Sequence, residues 1–467
     1  MTVARVGFRL GLAGFAATLL LPAPAAMPHS AWTVAGLVWW MAAWWMTEAI
    51  PLSATALLPF IVLPLAGVAT AEKTASSYYS PTIFLFVGGA FLALAIERTG
   101  LHRRLALAML SHAGKSPRRL LLAVMATTAL ISTMISNTST ALIMMPMALA
   151  ILASGGIAEG DKEGMAGALP MGVAFAATLG GFGTIVGTPT NAISVALLER
   201  TLGMQISFVE WMAFGMPVVI LGVPLAALII AHVQGLKHDR FDPSAARDAI
   251  SHAVEWSVPE RRLIPVFLLA VLAWVTQPLV APLLPQGALT DGTIAAVAGL
   301  VLFVLPDGTG RPMLVWKEAN RAPWDVILMF GGGLSLAMGM SESGLAAWLG
   351  QMLLPLSAVP LLLVAVVLVG FVILVTEFAS NIAAASGVMP IVAALCVSLG
   401  ADPMLLAVPA ALAASWGFML PAGTGANAIA WSTGHVALGR VLRAGLLFDL
   451  AGILLIIGCV WGVAAIS

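Results

Sequence analysis

Charged side chains are scarce in this chain and make up only 9% of its 467 residues. A soluble domain carries about 25%, so this chain lacks the charged surface that a soluble globule of its length needs. Cysteine is almost absent as well, because Cys396 and Cys459 are the only two and both lie in apolar runs. This number excludes a disulfide framework. The formal net charge of zero says nothing about nucleic acid, and no basic stripe suggests a nucleic-acid partner.

Hydrophobic residues, by contrast, make up 60% of the chain. Apolar runs long enough to cross a bilayer recur along the whole length, which is typical of a polytopic helical membrane protein. A transmembrane barrel would instead show short segments of alternating hydrophobicity. We therefore predict an all-α integral membrane protein that is embedded in a lipid bilayer.

Catalytic motifs are also missing from the sequence. The chain has no H-E-x-x-H, no G-x-S-x-G and no P-loop, which are local signatures of zinc hydrolases, serine hydrolases and nucleotide-binding enzymes. Its seven histidines are scattered and do not have the spacing of metal ligands. We predict that the protein is not an enzyme.

Lysine and arginine residues divide the loops into two alternating sets. Nineteen of the 21 lie in one set, and only Lys73 and Arg200 lie in the other. The positive-inside rule assigns the basic set to the cytoplasm. The predicted spans between these loops are 10–26, 31–50, 53–70, 82–97, 165–200, 211–234, 263–283, 291–306, 324–340, 404–431 and 444–466. These eleven spans predict a cytoplasmic N-terminus and an outside C-terminus in the cell's inner membrane.

The first span has a second interpretation. Arg5 and Arg9, the apolar run at 10–21 and the sequence Ala23-Pro24-Ala25 also fit a cleaved signal peptide. We interpret the segment as a membrane helix, and both interpretations leave the remaining topology unchanged.

Two apolar segments, 120–153 and 358–397, have both ends on one side if the loop charges are obeyed, so we predict that each is a re-entrant hairpin. Each is centred on a related polar motif, Ser136-Asn137-Thr138 in the first and Ser380-Asn381-Ile382 in the second, 244 residues apart. The loop at 98–119 carries six basic residues, and its counterpart at 342–363 carries none. This opposite charge bias predicts that the two halves form an inverted repeat.

A second pair of motifs lies inside the spans 165–200 and 404–431. They read Gly187-Thr188-Pro189-Thr190-Asn191 and Gly423-Thr424-Gly425-Ala426-Asn427, and their glycines and prolines predict broken helices. Non-helical backbone at membrane depth is tolerated only inside protein or against a water-filled cavity. Duplicated, broken hydrophobic segments therefore indicate the binding site of a transporter.

The hydroxyls and amides of these four motifs suit both anions and cations. They donate to carboxylate or sulfate oxygens, and their own oxygens ligate hard cations. No Lys or Arg occurs in the motifs, and one helix end offers only about half a charge, so a dianion requires co-bound cations. Single Ser, Thr and Asn residues often bridge helices instead, but their duplication favours a site. Glu377 either orients that site or carries a proton.

These motifs, with the stretch from Ala414 to Pro421 and Asn427, resemble the divalent anion/sodium symporter family of dicarboxylate transporters, within the ion transporter superfamily. The resemblance covers nearly the whole chain. It implies a homodimer in which each protomer has a scaffold domain and a transport domain that moves as an elevator. It also implies a small dianionic substrate, such as succinate, malate, fumarate, citrate or sulfate, carried with sodium. Some members are sodium-independent exchangers, and that alternative stays open.

The resemblance also implies roles for individual residues. The implied substrate contacts are Ser136, Asn137, Thr138, Thr188, Ser380, Asn381 and Thr424. The implied first sodium site comprises Ser132, Ser136, Asn137 and the backbone of Gly187. The implied second sodium site comprises Thr376, Ala379, Asn381 and the backbone of Gly423.

The sequence departs from the family pattern at three places. Ile382 replaces the usual hydroxyl of the second motif, and Gly425-Ala426 replaces a Pro-Pro pair. Ala422 and Ala430 depart from the C-terminal signature. The expected domains are a scaffold at 1–80 and 206–323, first-repeat transport elements at 81–205, second-repeat transport elements at 324–431 and a last helix at 432–467.

Overall fold

The structure is a computed structural model that describes residues 2–102, 104, 116–158, 160–236, 256–421 and 423–466. Arg103 and Lys115 of the basic loop, the stretch at 237–255 and Ala422 lie outside this part of the chain. The described residues form helices joined by loops, with one isolated bridge between Pro306 and Pro312. The all-α prediction is confirmed.

The helices follow one another in four groups along the chain. The N-terminal group is Val3–Leu20, His29–Thr47, Leu52–Thr55, Leu58–Leu65, Ala71–Ser76 and Pro81–Thr99. The second group is Pro117–Ser132, Asn137–Ser154, Met165–Gly181 and Pro189–Leu202. The third group is Phe208–Val233, Val258–Val280, the 3-10 turn Ala281–Leu283, Asp291–Val304, Trp316–Ala319, Trp324–Glu342, Leu345–Leu353 and the 3-10 turn Leu354–Ala358. The last group is Leu361–Phe378, Asn381–Leu399, Pro403–Ala413, Gly425–Ser432 and Leu438–Ala464.

Two predicted spans differ from the helices that form. The span predicted at 10–26 is the helix Val3–Leu20, which ends early because Leu21 is extended, as residues before proline usually are. The span predicted at 53–70 is divided into Leu52–Thr55 and Leu58–Leu65. At the division the Tyr78 hydroxyl donates to the carbonyl oxygen of Ala56 at 2.6 Å, which satisfies an acceptor outside the helical pattern.

Nine helices in the described part of the chain are long and apolar enough to cross a bilayer. This confirms a multi-pass membrane protein. The helix Met165–Gly181 is shorter but is buried at every residue, so it lies at the centre of the bundle. Its high content of Gly and Ala allows close approach to neighbours, which is how helices pack where there is no water to drive association.

The four polar motifs lie where predicted helices are interrupted. The first hairpin is Pro117–Ser132 and Asn137–Ser154, and the second is Leu361–Phe378 and Asn381–Leu399. The first broken helix is Met165–Gly181 and Pro189–Leu202, and the second is Pro403–Ala413 and Gly425–Ser432. Each polar motif therefore lies between two helices.

Gly88 and Gly332, which lie 244 residues apart, both stand where another segment approaches closely. A Cβ atom on Gly88 would lie 2.3 Å from the carbonyl oxygen of Ala295, and one on Gly332 would lie 2.6 Å from the Cβ of Ala56. Both glycines thus permit close helix crossings. Phe86 and Phe330, which are also 244 residues apart, pack on each other, with ring centroids 6.1 Å apart.

Aromatic side chains join the two broken helices. The ring of Phe182, at the first break, lies 5.3 Å from that of Trp416 at the second. Trp416 and Phe418 in turn pack on Phe448 of the last helix. Aromatic pairs of this kind add about 0.5–1.5 kcal/mol each beyond their buried area, so the two breaks are held in a fixed relation.

Ion pairs connect the basic loops to one another. Arg321 pairs with Glu97 and Arg104 pairs with Glu260, while Arg440 pairs with Glu163. Lys73, from the complementary set, pairs with Glu342. These contacts agree with the division of the loops into two sets.

Candidate functional site

Four helix N-termini converge on one cavity of about 390 Å³. They begin the second arms of both hairpins and both broken helices, and each is capped by a hydroxyl side chain that accepts a backbone N–H. These caps are Ser136, Thr188, Ser380 and Thr424. All four line the cavity. The first N–H groups of a helix have no acceptor within the helix, so the cavity is surrounded by donors and by the positive ends of four dipoles.

The tip of the first hairpin is held by Ser132. Its hydroxyl lies 2.6 Å from the carbonyl oxygen of Ala177 and 3.1 Å from Oδ1 of Asn137. Ser132 is fully buried, whereas Ser136 and Thr138 are exposed to the cavity. The buried Ser132 hydroxyl therefore lies between the helix Met165–Gly181 and the asparagine, while the hydroxyls of Ser136 and Thr138 face the cavity.

The tip of the second hairpin repeats this arrangement. The Thr376 hydroxyl lies 2.8 Å from the carbonyl oxygen of Ala414 and 2.7 Å from Oδ1 of Asn381. Thr376 is fully buried. The facing position of the motif is Ile382, which lines the cavity with an apolar side chain, so this half offers one hydroxyl fewer.

Hairpin tips and breaks contact each other across the halves. A Cβ atom on Gly425, at the second break, would lie 2.4 Å from Oγ1 of Thr138 in the first hairpin. The glycine that replaces a proline thus leaves room for this hydroxyl. Within the first half, Thr184 donates to the carbonyl oxygen of Thr133 at 2.5 Å, which ties the first break to the first tip.

An asparagine closes each broken helix. Nδ2 of Asn191 donates to the carbonyl oxygens of Gly181 and Thr184, at 2.7 and 2.8 Å. Nδ2 of Asn427 donates to the carbonyl oxygen of Leu420 at 3.1 Å. Each side chain therefore joins the end of one half-helix to the start of the next. Both Oδ1 atoms are buried and accept no hydrogen bond from the described residues.

Glu377 holds the backbone of the second break. Its Oε1 accepts from the N–H groups of Phe418 and Met419, at 2.5 and 2.9 Å, and its Oε2 accepts from that of Leu420 at 3.0 Å. The break would otherwise leave these three donors unpaired in a buried place. This geometry favours the orienting role expected for Glu377, which stays a prediction.

Asp449 is a buried acid that the sequence analysis missed. It lies on the last helix, is 5% exposed, and receives no hydrogen bond at either carboxylate oxygen from the described residues. The carboxyl group of Asp449 interacts with the carboxyl group of Glu377. The rule that selected Glu377, a carboxylate inside an apolar span, applies equally to Asp449 and would have found it.

The structure brings the residues of the implied substrate set into one cavity. Seven of them line it, namely Ser136, Asn137, Thr138, Thr188, Ser380, Asn381 and Thr424. Of the implied sodium ligands, Gly187 and Gly423 also line it. Ser132, Thr376 and Ala379 are buried and are not among its lining residues.

Two charged residues in the cavity wall, Glu97 and Arg321, were not foreseen as part of the site. Neither residue belongs to a polar motif, since Glu97 ends a predicted span and Arg321 lies in a loop that was used only to assign topology. The described residues contain no group of three His, Cys, Asp or Glu side chains able to hold a metal ion. The ligands available to a cation are hydroxyl, amide and carbonyl oxygens, which suit a hard cation such as sodium.

Comparison with known proteins agrees with this geometry. A family model described as the sodium:sulfate symporter transmembrane region matches residues 6–467. The chain is 38% identical to the sodium-dependent dicarboxylate transporter SdcS of Staphylococcus saprophyticus, over 97% of this chain and 90% of that protein. It is 36% identical to SdcS of Staphylococcus aureus strain USA300, over 99% of this chain and 91% of that protein.

The fold is also similar to a solved structure. The YdaH transporter of Alcanivorax borkumensis, reported as having an unusual topology, matches with a TM-score of 0.59 and 14% identity. The match covers 94% of this chain and 98% of that one. At this identity the likeness concerns the fold alone.

Replacing Glu377 by glutamine should destabilise the protein. The amide has one acceptor oxygen instead of two, so its NH2 group must face at least one of the three backbone donors. We expect a loss of about 2 kcal/mol or more in the free energy of unfolding, since hydrogen bonds to a charged group are worth about 1.5–3 kcal/mol each. Denaturant unfolding of the purified protein in detergent measures it.

The matched control is Glu72→Gln, because Glu72 is exposed and its replacement should change stability by about 0.5 kcal/mol at most. Equal stability of Glu377→Gln and Glu72→Gln would show that Glu377 does not hold the break.

Proposed function

The chain belongs to the sodium:sulfate symporter family, and we propose that it is a secondary active transporter that imports a C4-dicarboxylate together with sodium. Succinate, malate and fumarate are the proposed substrates. The observation that carries this proposal is the convergence of four capped helix N-termini on a cavity whose motifs hold no fixed cation. The names of the relatives, which are sodium-dependent dicarboxylate transporters, support the same substrate class and the same ion.

The charge of the site supports a dianion that needs compensation. Each helix N-terminus contributes about half an elementary charge, so four of them together contribute about two. These partial charges act on the anion across several ångströms. A dianion that leaves water loses far more solvation free energy than one such partial charge restores. Co-bound sodium ions supply the remaining positive charge, which makes anion binding depend on the sodium concentration.

The two hairpin tips support two sodium sites. Asn137 with the carbonyl of Gly187, and Asn381 with the carbonyl of Gly423, offer the neutral oxygen ligands that a hard cation prefers. Ser132 and Thr376 hold the two asparagine oxygens at 3.1 and 2.7 Å, so these ligands are positioned before the ion arrives. We assign the first and second sodium sites to these two tips.

An elevator movement fits the way the site is held together. The hydrogen bond from Thr184 to Thr133, the contact of Phe182 with Trp416 and the grip of Glu377 on Phe418 join tips and breaks into one body. Such a body moves as a unit against the helices at 1–80 and 206–323, which we assign to the scaffold. The homodimer and the inverted repeat belong to the same proposal and follow from the family resemblance and the loop charges.

Uptake of labelled succinate into proteoliposomes tests the proposal directly. An inward sodium gradient should drive accumulation, whereas internal succinate without sodium should not. Uptake that needs internal dicarboxylate but no sodium would instead identify an exchanger. Uptake of sulfate in place of succinate would show that the substrate class is wrong, and the family description makes sulfate the competitor to include.

Asn137→Ala and Asn381→Ala should each abolish sodium-driven succinate uptake. Either change removes the amide oxygen that Ser132 or Thr376 fixes, together with a proposed ligand of substrate and sodium. The measurement is initial uptake at saturating sodium, with size-exclusion chromatography to confirm folding. Asn320→Ala is the control, since Asn320 is exposed and lies outside the cavity wall. Retained uptake in both motif variants would contradict the site assignment.

Gly425→Ala should raise the KM for succinate about tenfold, which corresponds to about 1.4 kcal/mol. The added Cβ would overlap Oγ1 of Thr138 and push this hydroxyl out of its place in the cavity wall. Gly439→Ala is the control, because a Cβ on Gly439 meets open space. If the two alanine variants have the same KM, Thr138 does not contact the substrate in this position.

A further inference from the structure

The cavity wall contains one positive and one negative side chain among its described residues, Arg321 and Glu97. Nη2 of Arg321 donates to Oε1 of Glu97 at 2.6 Å. The Arg321 side chain is 62% exposed and that of Glu97 is 26% exposed. A guanidinium has five N–H donors, so most of the Arg321 donors face solvent while Glu97 occupies one of them.

Neither residue of this ion pair lies in a helix or loop that contains one of the four polar motifs. Glu97 lies near the end of the helix Pro81–Thr99, and Arg321 lies in the loop before Trp324–Glu342. The adjacent Arg98 pairs with Asp307 and Glu318. Burial disfavours ionisation of Asp307, but the donors of Arg98 and Thr309 outweigh it and hold the pKa of this carboxyl below its ordinary value. The helix Pro81–Thr99 falls within the range expected for the transport elements, but its Gly88 and Phe91 pack on the scaffold helix Asp291–Val304, so we assign this helix to the scaffold. The ion pair is then anchored in a charged network of the scaffold.

The charge at this cavity is confined to one side of the protein. Arg321 belongs to the basic set of loops, which the positive-inside rule places in the cytoplasm. Lys73 and Arg200, the cations of the complementary set, are absent from the cavity wall, and Arg200 lines a separate cavity with Glu342. A substrate at the motifs thus faces a guanidinium only when the motifs are next to the cytoplasmic mouth.

We propose that Arg321 is a side-specific determinant of substrate affinity, which attracts the dianion at the cytoplasmic mouth, and that Glu97 weakens this attraction by occupying the guanidinium. The proposal rests on the transport of a dianion. Because Arg321 is anchored in the scaffold and the motifs move away from it, the residue sets the affinity on the cytoplasmic side and leaves the affinity on the outer side unchanged.

The physical effect has a predictable sign and size. A unit charge about 8 Å from a dianion in a water-filled cavity changes its affinity by about sixfold before screening, and salt reduces this to about twofold to threefold. Removing Glu97 frees a guanidinium that can bind a carboxylate with two parallel hydrogen bonds. Dianion release into the cytoplasm is then slower, so the ion pair keeps the attraction weak enough for turnover.

Transport from each face separates the two affinities. Right-side-out and everted membrane vesicles that contain the full-length protein present the outer and the cytoplasmic face to labelled succinate. Arg321→Gln should raise the KM in everted vesicles about threefold, and Glu97→Gln should lower it about threefold. Both variants should keep the wild-type KM in right-side-out vesicles. Lys317→Gln is the control, since Lys317 is an exposed cation of the same loop that does not line the cavity.

Two results overturn the proposal. One is an unchanged KM in everted vesicles for Arg321→Gln while wild-type protein transports succinate normally. The other is an equal change of KM on both faces, which is what a general structural defect produces. We expect KM to rise in Arg321→Gln and to fall in Glu97→Gln. A folding defect cannot lower a KM, so the fall in Glu97→Gln distinguishes the proposal from such a defect.

A second readout does not depend on the substrate at all. In a background of Cys396→Ala and Cys459→Ala, Ala93→Cys places a thiol in the cavity wall one turn before Glu97. Its rates of reaction with an anionic and a cationic methanethiosulfonate reagent report the local potential. Arg321→Gln should lower the ratio of anionic to cationic rates about threefold, and Glu97→Gln should raise it.

The two readouts distinguish the failure of each claim. Unchanged reagent ratios in both variants overturn the role of Arg321 whatever the substrate proves to be. Shifted ratios with no succinate transport in wild-type protein mean that the charged mouth is correct and that the proposed substrate is wrong.

Discussion

The constraint on which this structure depends is the cost of moving a dianion from water onto four motifs that contain no fixed positive charge. Burying an unpaired carboxylate is among the most expensive steps in protein chemistry. The four motifs contain no Lys or Arg, so the favourable field has to come from the backbone and from ions that accompany the substrate. A lysine within the motifs would attract the anion in the absence of sodium and weaken the dependence of binding on the ion. Arg321 lines the cavity but belongs to none of the motifs.

The fold meets this constraint by interrupting four helices at one place. Each interruption exposes a helix N-terminus to the cavity, and each has to be stabilised, since loose backbone inside the membrane is costly. The second break uses the Glu377 carboxylate to hold three N–H groups, and both breaks use an asparagine to hold the carbonyl ends. The aromatic contact of Phe182 with Trp416 then fixes one break against the other, so the four helix ends are held around one cavity.

Much of this architecture could be predicted from the sequence, because it depends on local patterns. Apolar runs predict the helices, glycine and proline predict the breaks, and the 244-residue repeat predicts that the interruptions come in pairs. The contacts between distant segments could not be predicted in this way. Nothing in the sequence shows that Gly425 lies against Thr138 or that Arg321 reaches Glu97, since these pairs form only when the helices pack. The helix end at Leu20, near a proline, also differs from the predicted end. The backbone restriction that proline places on the residue before it is not visible in the hydropathy of the sequence.

The central claim is that the four motifs form one shared site for a dianion and its sodium ions. A cryo-electron microscopy structure of the protein in lipid nanodiscs, with saturating succinate and sodium, tests it most directly. The account predicts density for a four-carbon molecule between the two hairpin tips, in contact with Asn137 and Asn381, with sodium density beside each asparagine. Succinate bound against Lys or Arg side chains away from both tips, with the motifs packed only on neighbouring helices, would contradict it.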